Sequence, residues 1–177
     1  MKLKFLSVLF LLSIMSCKDK VDNPEVLTDQ EVKSNHLSIA LDLLIKEDDS
    51  LQIFYSEDLT PNYNDLQSVW SVVKGSDVNQ TVSFDLPSDV YPTHLRLDFG
   101  VNKNQKEIKV NAFKMTYGDK SFETKDTLFF QFFEPVNQID WDRKNAVAKI
   151  VTPAGEKHDP SFYPRDTFKE ELKKLLK

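Results

Sequence analysis

The sequence predicts an all-β protein, an antiparallel β-sandwich followed by a short C-terminal α-helix. Three observations carry that prediction. From Leu37 onward apolar residues alternate with polar ones in short runs; turn-forming residues interrupt the runs; and no sustained helical period occurs between Leu37 and Thr152.

The first run is the clearest. Leu37, Ile39, Leu41, Leu43 and Ile45 share one parity, opposite Ser38, Ala40, Asp42, Leu44 and Lys46, as a strand with one buried face requires. Glu47–Ser50 is a turn, and Leu51, Ile53 and Tyr55 continue the alternation as a hairpin partner. After a loop at Pro61–Asn64, the valine-rich stretch Val69–Val73 reads as a third strand, with Trp70 assigned to the core by its apolar neighbours. Val82, Phe84 and Leu86, then Leu95, Leu97 and Phe99, make two more, separated by turn signals at Gly75–Asp77, Pro87–Asp89 and Gly100. Ile108 and Val110 are out of step with Phe113, Met115 and Tyr117, a parity change that a β-bulge near Asn111–Ala112 would produce. Leu128–Phe133 is apolar on both parities and predicts a strand covered on both faces. Ala146–Val151 reads as the last strand, which bounds the sandwich domain at residues 37–155 and leaves 156–177 as a tail. In that tail Thr167 and Glu170 have capping-box spacing, and Phe168, Leu172, Leu175 and Leu176 form one helical stripe. So short a helix is marginal alone, so the stripe is expected to pack on the sandwich or on a partner.

The N-terminus predicts an address. Lys2 and Lys4 precede the apolar run Phe5–Met15, which is too short for a bilayer core of about 30 Å that needs roughly 20 apolar residues. Ile14-Met15-Ser16-Cys17 resembles a lipobox, so residues 1–16 are read as a signal peptide and Cys17 as the lipidated N-terminus, with 17–36 a polar tether. The expected location is the cell envelope, with the lipid anchoring the chain to the outer membrane at its surface or periplasmic face. Cys17 is the sole cysteine, so no internal disulfide is available.

Composition narrows the chemistry. With 23 basic against 28 acidic residues the formal net charge is −5, and loss of Lys2 and Lys4 makes the processed chain more acidic still, which argues against a nucleic-acid partner. The four glycines are dispersed, which rules out a glycine-rich phosphate loop. His36, His94 and His158 are far apart in the chain and read as surface or loop residues, not zinc ligands. No Gly-x-Ser-x-Gly elbow and no Glu-x-Asp-x-x-Glu strand signature occurs, so the expectation is a protein without catalytic activity or cofactor. Asp98–Asn104 is rich in side-chain oxygens, but Lys103 opposes a cation and the segment reads as a solvated hairpin. For sugar binding, which uses aromatic faces beside amides and carboxylates, the candidate residues are Tyr63, Trp141 and Tyr163, flanked by Asn62, Asn64, Asp140 and Asp142.

Phe54-Tyr55, Trp70–Gly75, Gln80–Pro87 and Leu95–Gly100, in that order, resemble a β-sandwich module of Bacteroidetes envelope lipoproteins that is similar to jelly-roll carbohydrate-binding modules. The resemblance implies a jelly-roll-like sandwich in the cell envelope that binds glycan or an envelope protein without catalysis. Two alternatives stand beside it: an assembly lipoprotein that docks a partner through its C-terminal helix, and a small glycan hydrolase.

Overall fold

The fold is taken from a computed structural model, which describes residues 35–136 and 138–177. Cys17, the expected signal segment 1–16 and nearly all of the expected tether 17–36 lie outside the described residues. Among the described residues no helix is long and apolar enough to cross a membrane.

Two antiparallel sheets form a sandwich. In the first, strands β4 (Gln80–Asp85), β1 (Ser38–Ile45), β6 (Glu107–Tyr117), β10 (Val147–Ile150) and β9 (Ile139–Asp142) lie in that order, with β7 (Lys120–Lys125) also paired to β6. In the second, the order is β3 (Ser68–Val73), β2 (Asp49–Ser56), β5 (His94–Asp98), β11 (Ser161–Pro164) and β8 (Phe133–Val136). The alternation in β1 is realised residue for residue: Leu37, Ile39, Leu41, Leu43 and Ile45 are buried and their neighbours half-exposed. The expected bulge is present as well. Asp42 pairs with Ala112 but Leu43 with Val110, so Asn111 is the extra residue, and Val110 and Phe113 both reach the core.

Four sequence expectations are corrected. Leu128–Phe133 is not a strand: Asp126–Gln131 is a 3-10 helix and only Phe133 begins β8. Consecutive Phe129 and Phe130 are both buried while Leu128 is 51% exposed, an arrangement that a period-two strand with one core face cannot deliver and a helical turn can. Trp70 is not in the core. Within β3 it is Val73 that is buried, with Val69 packed against the core, which sends Trp70 (53% exposed) and Val72 (80% exposed) outward. The sheet does not finish at residue 155, since β11 sits between β5 and β8, with Pro160 just before it and Pro164 at its last position. The helix α1 (Asp166–Leu175) starts earlier than the capping box implied, with Arg165 as N-cap and no side-chain cap bond; the Thr167 hydroxyl instead donates to the Gln131 carbonyl.

The apolar stripe of α1 is used inside the molecule. Phe168, Leu172 and Leu175 are buried, and the Phe168 ring lies 4.5 Å from Phe133 and 5.8 Å from Phe113, closing one end of the aromatic core. Of the two outcomes expected from sequence, the stripe thus packs on the sandwich itself, with Leu176 only partly buried.

Candidate functional site

The outer face of the second sheet carries a cluster of charged, amide and aromatic side chains. In β5, Leu95 and Leu97 point into the core, so Arg96 and Asp98 point out. Register aligns their partners: Gln52 lies opposite Asp98 on one side and Trp70 on the other, and Phe54 lies opposite Arg96. Three loops wall this face. The β2–β3 loop brings Tyr63, Asn64 and Asp65, the segment after β5 brings Gly100 and Val101, and the β10–β11 loop brings Lys157, His158 and Asp159. Together they enclose a cavity of about 420 Å³, in the lower part of the range of about 300–1,000 Å³ for small-molecule sites.

Specific bonds hold each wall. Asn64 donates its amide to Gln67 Oε1 at 2.8 Å and accepts from the Leu66 N–H at 3.1 Å, which fixes the turn beneath Tyr63. Gln138 clamps the β10–β11 loop, donating to the Lys157 carbonyl at 2.6 Å and accepting from the Asp159 N–H at 2.9 Å and the Thr152 hydroxyl at 3.1 Å. The turn after β5 is organised around Asp49, only 6% exposed, whose Oδ1 accepts N–H bonds from Ser50 (2.8 Å), Val101 (2.8 Å) and Asn102 (3.0 Å). This turn therefore aims backbone donors at an internal carboxylate. Among the described residues no group of three or more His, Cys, Asp or Glu side chains is arranged to hold a metal ion.

The floor is an ion cluster. Arg96 Nε lies 2.7 Å from Asp98 Oδ1, and Nη2 donates to Asp98 Oδ2 at 2.8 Å and to Asp159 Oδ1 at 2.5 Å. Its guanidinium also stacks at 5.0 Å from the Phe54 ring centre and 5.5 Å from that of Tyr163. Two carboxylates share one cation in a half-buried site, so one of them keeps its proton easily. Burial pushes Asp98 up to about 7, Arg96 opposes the shift, and the charge of Asp159 adds to it. Arg96 itself is disfavoured as a cation by burial, but Asp98 and Asp159 outweigh that and raise its pKa.

Of the aromatic candidates from sequence, two meet here and one does not. Tyr63 and Tyr163 pack edge to face with ring centres 5.6 Å apart, and Tyr63 also meets Phe54 at 6.5 Å. Burial raises the phenol pKa of Tyr63 above its usual value, and its hydroxyl is buried with no hydrogen-bond partner among the described residues. Trp141 sits on β9 facing the interior, 5.5 Å from Phe162 and 6.2 Å from Phe129, while Tyr163, next along β11, faces the other way. It is a core-packing residue, separated from Tyr63 and Tyr163 by the sheet. The exposed aromatic at the cavity is Trp70, which sequence patterning had placed inside. Of the histidines, His36 and His158 lie outside the strands and half-exposed, as expected, and only His94 departs from the expectation. His94 is buried on β5, its Nδ1 2.9 Å from the Thr93 hydroxyl. His158 lines the cavity with Nδ1 2.5 Å from the Thr152 hydroxyl and Nε2 buried without a partner, and burial lowers its pKa below the usual imidazole value.

Comparison with known proteins adds no identity. No family profile matches the chain. No curated protein and no solved structure is significantly similar to it. The class of molecule is set by architecture alone, a two-sheet antiparallel sandwich with a polar, aromatic-edged cavity on one outer face.

Proposed function

We propose that this protein is a non-catalytic cell-envelope lipoprotein, anchored through Cys17, whose second sheet binds glycan in the cavity floored by Arg96, Asp98 and Gln52. The observation that carries this reading is Trp70, a large apolar ring 53% exposed at the edge of a preformed cavity lined with amide, carboxylate and guanidinium groups. Sugar rings present one apolar face to such a platform and hydroxyls to the polar lining. The lipobox-like Ile14–Cys17 and the basic-apolar segment before it support the envelope setting.

A hydrolase reading is weaker. Asp98 and Asp159 both lie in the cavity, and Asp98 has the raised pKa of a general acid. Both carboxylates are nevertheless bonded to the same Arg96 nitrogen, so the pair is bridged by a cation and not left free to flank a scissile bond. A glycan array and affinity electrophoresis with the chain from Asn35 onward test the binding reading. Retention on at least one glycan, lost in Trp70→Ala with unchanged thermal stability, is the expected result. Absence of binding to any glycan overturns it, and so does retention that Trp70→Ala leaves intact.

A further inference from the structure

The charge arrangement of the same cavity bears on which sugars it takes. Its buried cation is already paired with two carboxylates: Arg96 Nη2 donates to Asp98 Oδ2 and Asp159 Oδ1, Nε lies 2.7 Å from Asp98 Oδ1, and the guanidinium sits 5.0 Å from the Phe54 ring centre and 5.5 Å from that of Tyr163. Asp65 adds a third carboxylate to the lining, and the remaining cation, Lys157, is exposed at the rim, where water weakens its pull on a ligand. Among the described residues, the buried lining atoms that make no hydrogen bond are two neutral ones, the Tyr63 hydroxyl and His158 Nε2, whose side chains burial keeps uncharged, and two inside the ion cluster, Arg96 Nε and Asp98 Oδ1, which face each other at 2.7 Å.

Resting on the glycan reading above, we infer that this cavity selects neutral, hydroxyl-rich sugars and rejects anionic ones such as uronates and sulfated residues. A sugar hydroxyl can donate to Asp98, Asp159 or Asp65, which uses the lining as it stands. A ligand carboxylate that approaches Arg96 meets Asp98 and Asp159 already paired with that guanidinium, and to take Nη2 it must displace Asp159. It would then leave Asp159 without its cation and add a third anion beside Asp98. The rejection is thus built from like charge already in place, which discriminates without any extra contact to the favoured ligand.

Isothermal titration of the purified full chain in detergent, with matched pairs of oligosaccharides, tests this. Galacto- and manno-oligosaccharides are set against galacturonate and mannuronate oligomers of similar length. The neutral member of a pair is expected to bind about tenfold or more tightly than its uronide. Asp159→Asn, which removes one anion and loosens its hold on Nη2, is expected to narrow that gap. Asp65→Asn, at an exposed lining position, narrows it less and serves if Asp159→Asn fails the folding check by near-UV circular dichroism. Uronides that bind as tightly as their neutral partners overturn the charge selection and leave the glycan reading standing. Failure of every sugar, neutral or anionic, overturns both.

Discussion

Asp49→Ala tests how the turn that walls the cavity is held. The native carboxylate, 6% exposed, accepts three backbone N–H bonds through Oδ1, from Ser50, Val101 and Asn102 at 2.8–3.0 Å. Each bond to a charged acceptor contributes about 1.5–3 kcal/mol, and a buried donor left bare costs about 1–3 kcal/mol. Val101 is exposed enough for water to replace part of that loss, and deletion also removes the cost of burying the carboxylate itself. The net expectation is a destabilisation of about 3 kcal/mol, which for a domain of this size lowers Tm by roughly 6–12 °C. Gly100 makes the test sharper. Its φ is +107°, a region that disfavours side chains, and a Cβ there would run into the Asp49 carboxylate. Gly100→Ala alone therefore combines backbone strain with a clash, whereas in the Asp49→Ala background only the strain remains. Urea denaturation of the two single variants and the double variant forms a cycle, with an expected coupling of about 1–3 kcal/mol in the direction of mutual relief. Additive effects, or a loss below about 1 kcal/mol for Asp49→Ala, would refute the account of this turn.

Three other outcomes follow from the same structure. The carboxyl of Asp98, raised by burial to about 7 from an unfolded value of about 3.9, contributes stability that is full below about pH 4 and is lost as pH rises through about 7; Asp98→Asn should flatten that fall in Tm between pH 4 and 8, and an unchanged profile contradicts it. His94 and His158, both with pKa values lowered by burial, act in the opposite direction over part of this range, so the difference between wild type and Asp98→Asn is the quantity to read. Tyr63→Phe removes a buried hydroxyl with no hydrogen-bond partner among the described residues, so stability in urea should stay the same or rise by up to about 1–3 kcal/mol; a marked loss of stability would reveal a hydroxyl contact that the described residues do not contain. Phe168→Ala should cost about 3–5 kcal/mol in urea, since its ring fills the core between Phe113 and Phe133, and a loss under about 1 kcal/mol would mean that α1 is a detachable tail.

The legible parts of this fold are those in which one buried face imposes a strict period. In β1, and in the β6 bulge, apolar parity alone locates the core side, because a one-residue slip would expose the whole set. Legibility fails where apolar residues occupy both parities. In Val69–Val73 the composition gives no preferred side, and contact of Val73 with the core decides that Trp70 faces out. In Leu128–Phe133 the same ambiguity conceals a 3-10 helix. The β11 segment is short and flanked by prolines, signals that ordinarily mark a loop or an edge. Of the candidate site, Tyr63 and Tyr163 were visible as aromatics near polar neighbours. Arg96, Asp98 and Asp159 carried no such signal, since Asp159 lies sixty-three residues from Arg96 and joins it only through sheet pairing.

By itself the sequence determined the all-β class, the period of the first strand, the bulge and the amphipathic C-terminal helix, because each is a local pattern of hydrophobicity or turn chemistry. Tertiary structure decided which face each mixed strand presents, that α1 spends its apolar stripe on the domain's own core, and that Trp70, Tyr63 and the Arg96 cluster share one cavity. These depend on pairing between segments distant in the chain. A single-strand pattern records how often a side chain alternates, but not which neighbour it meets.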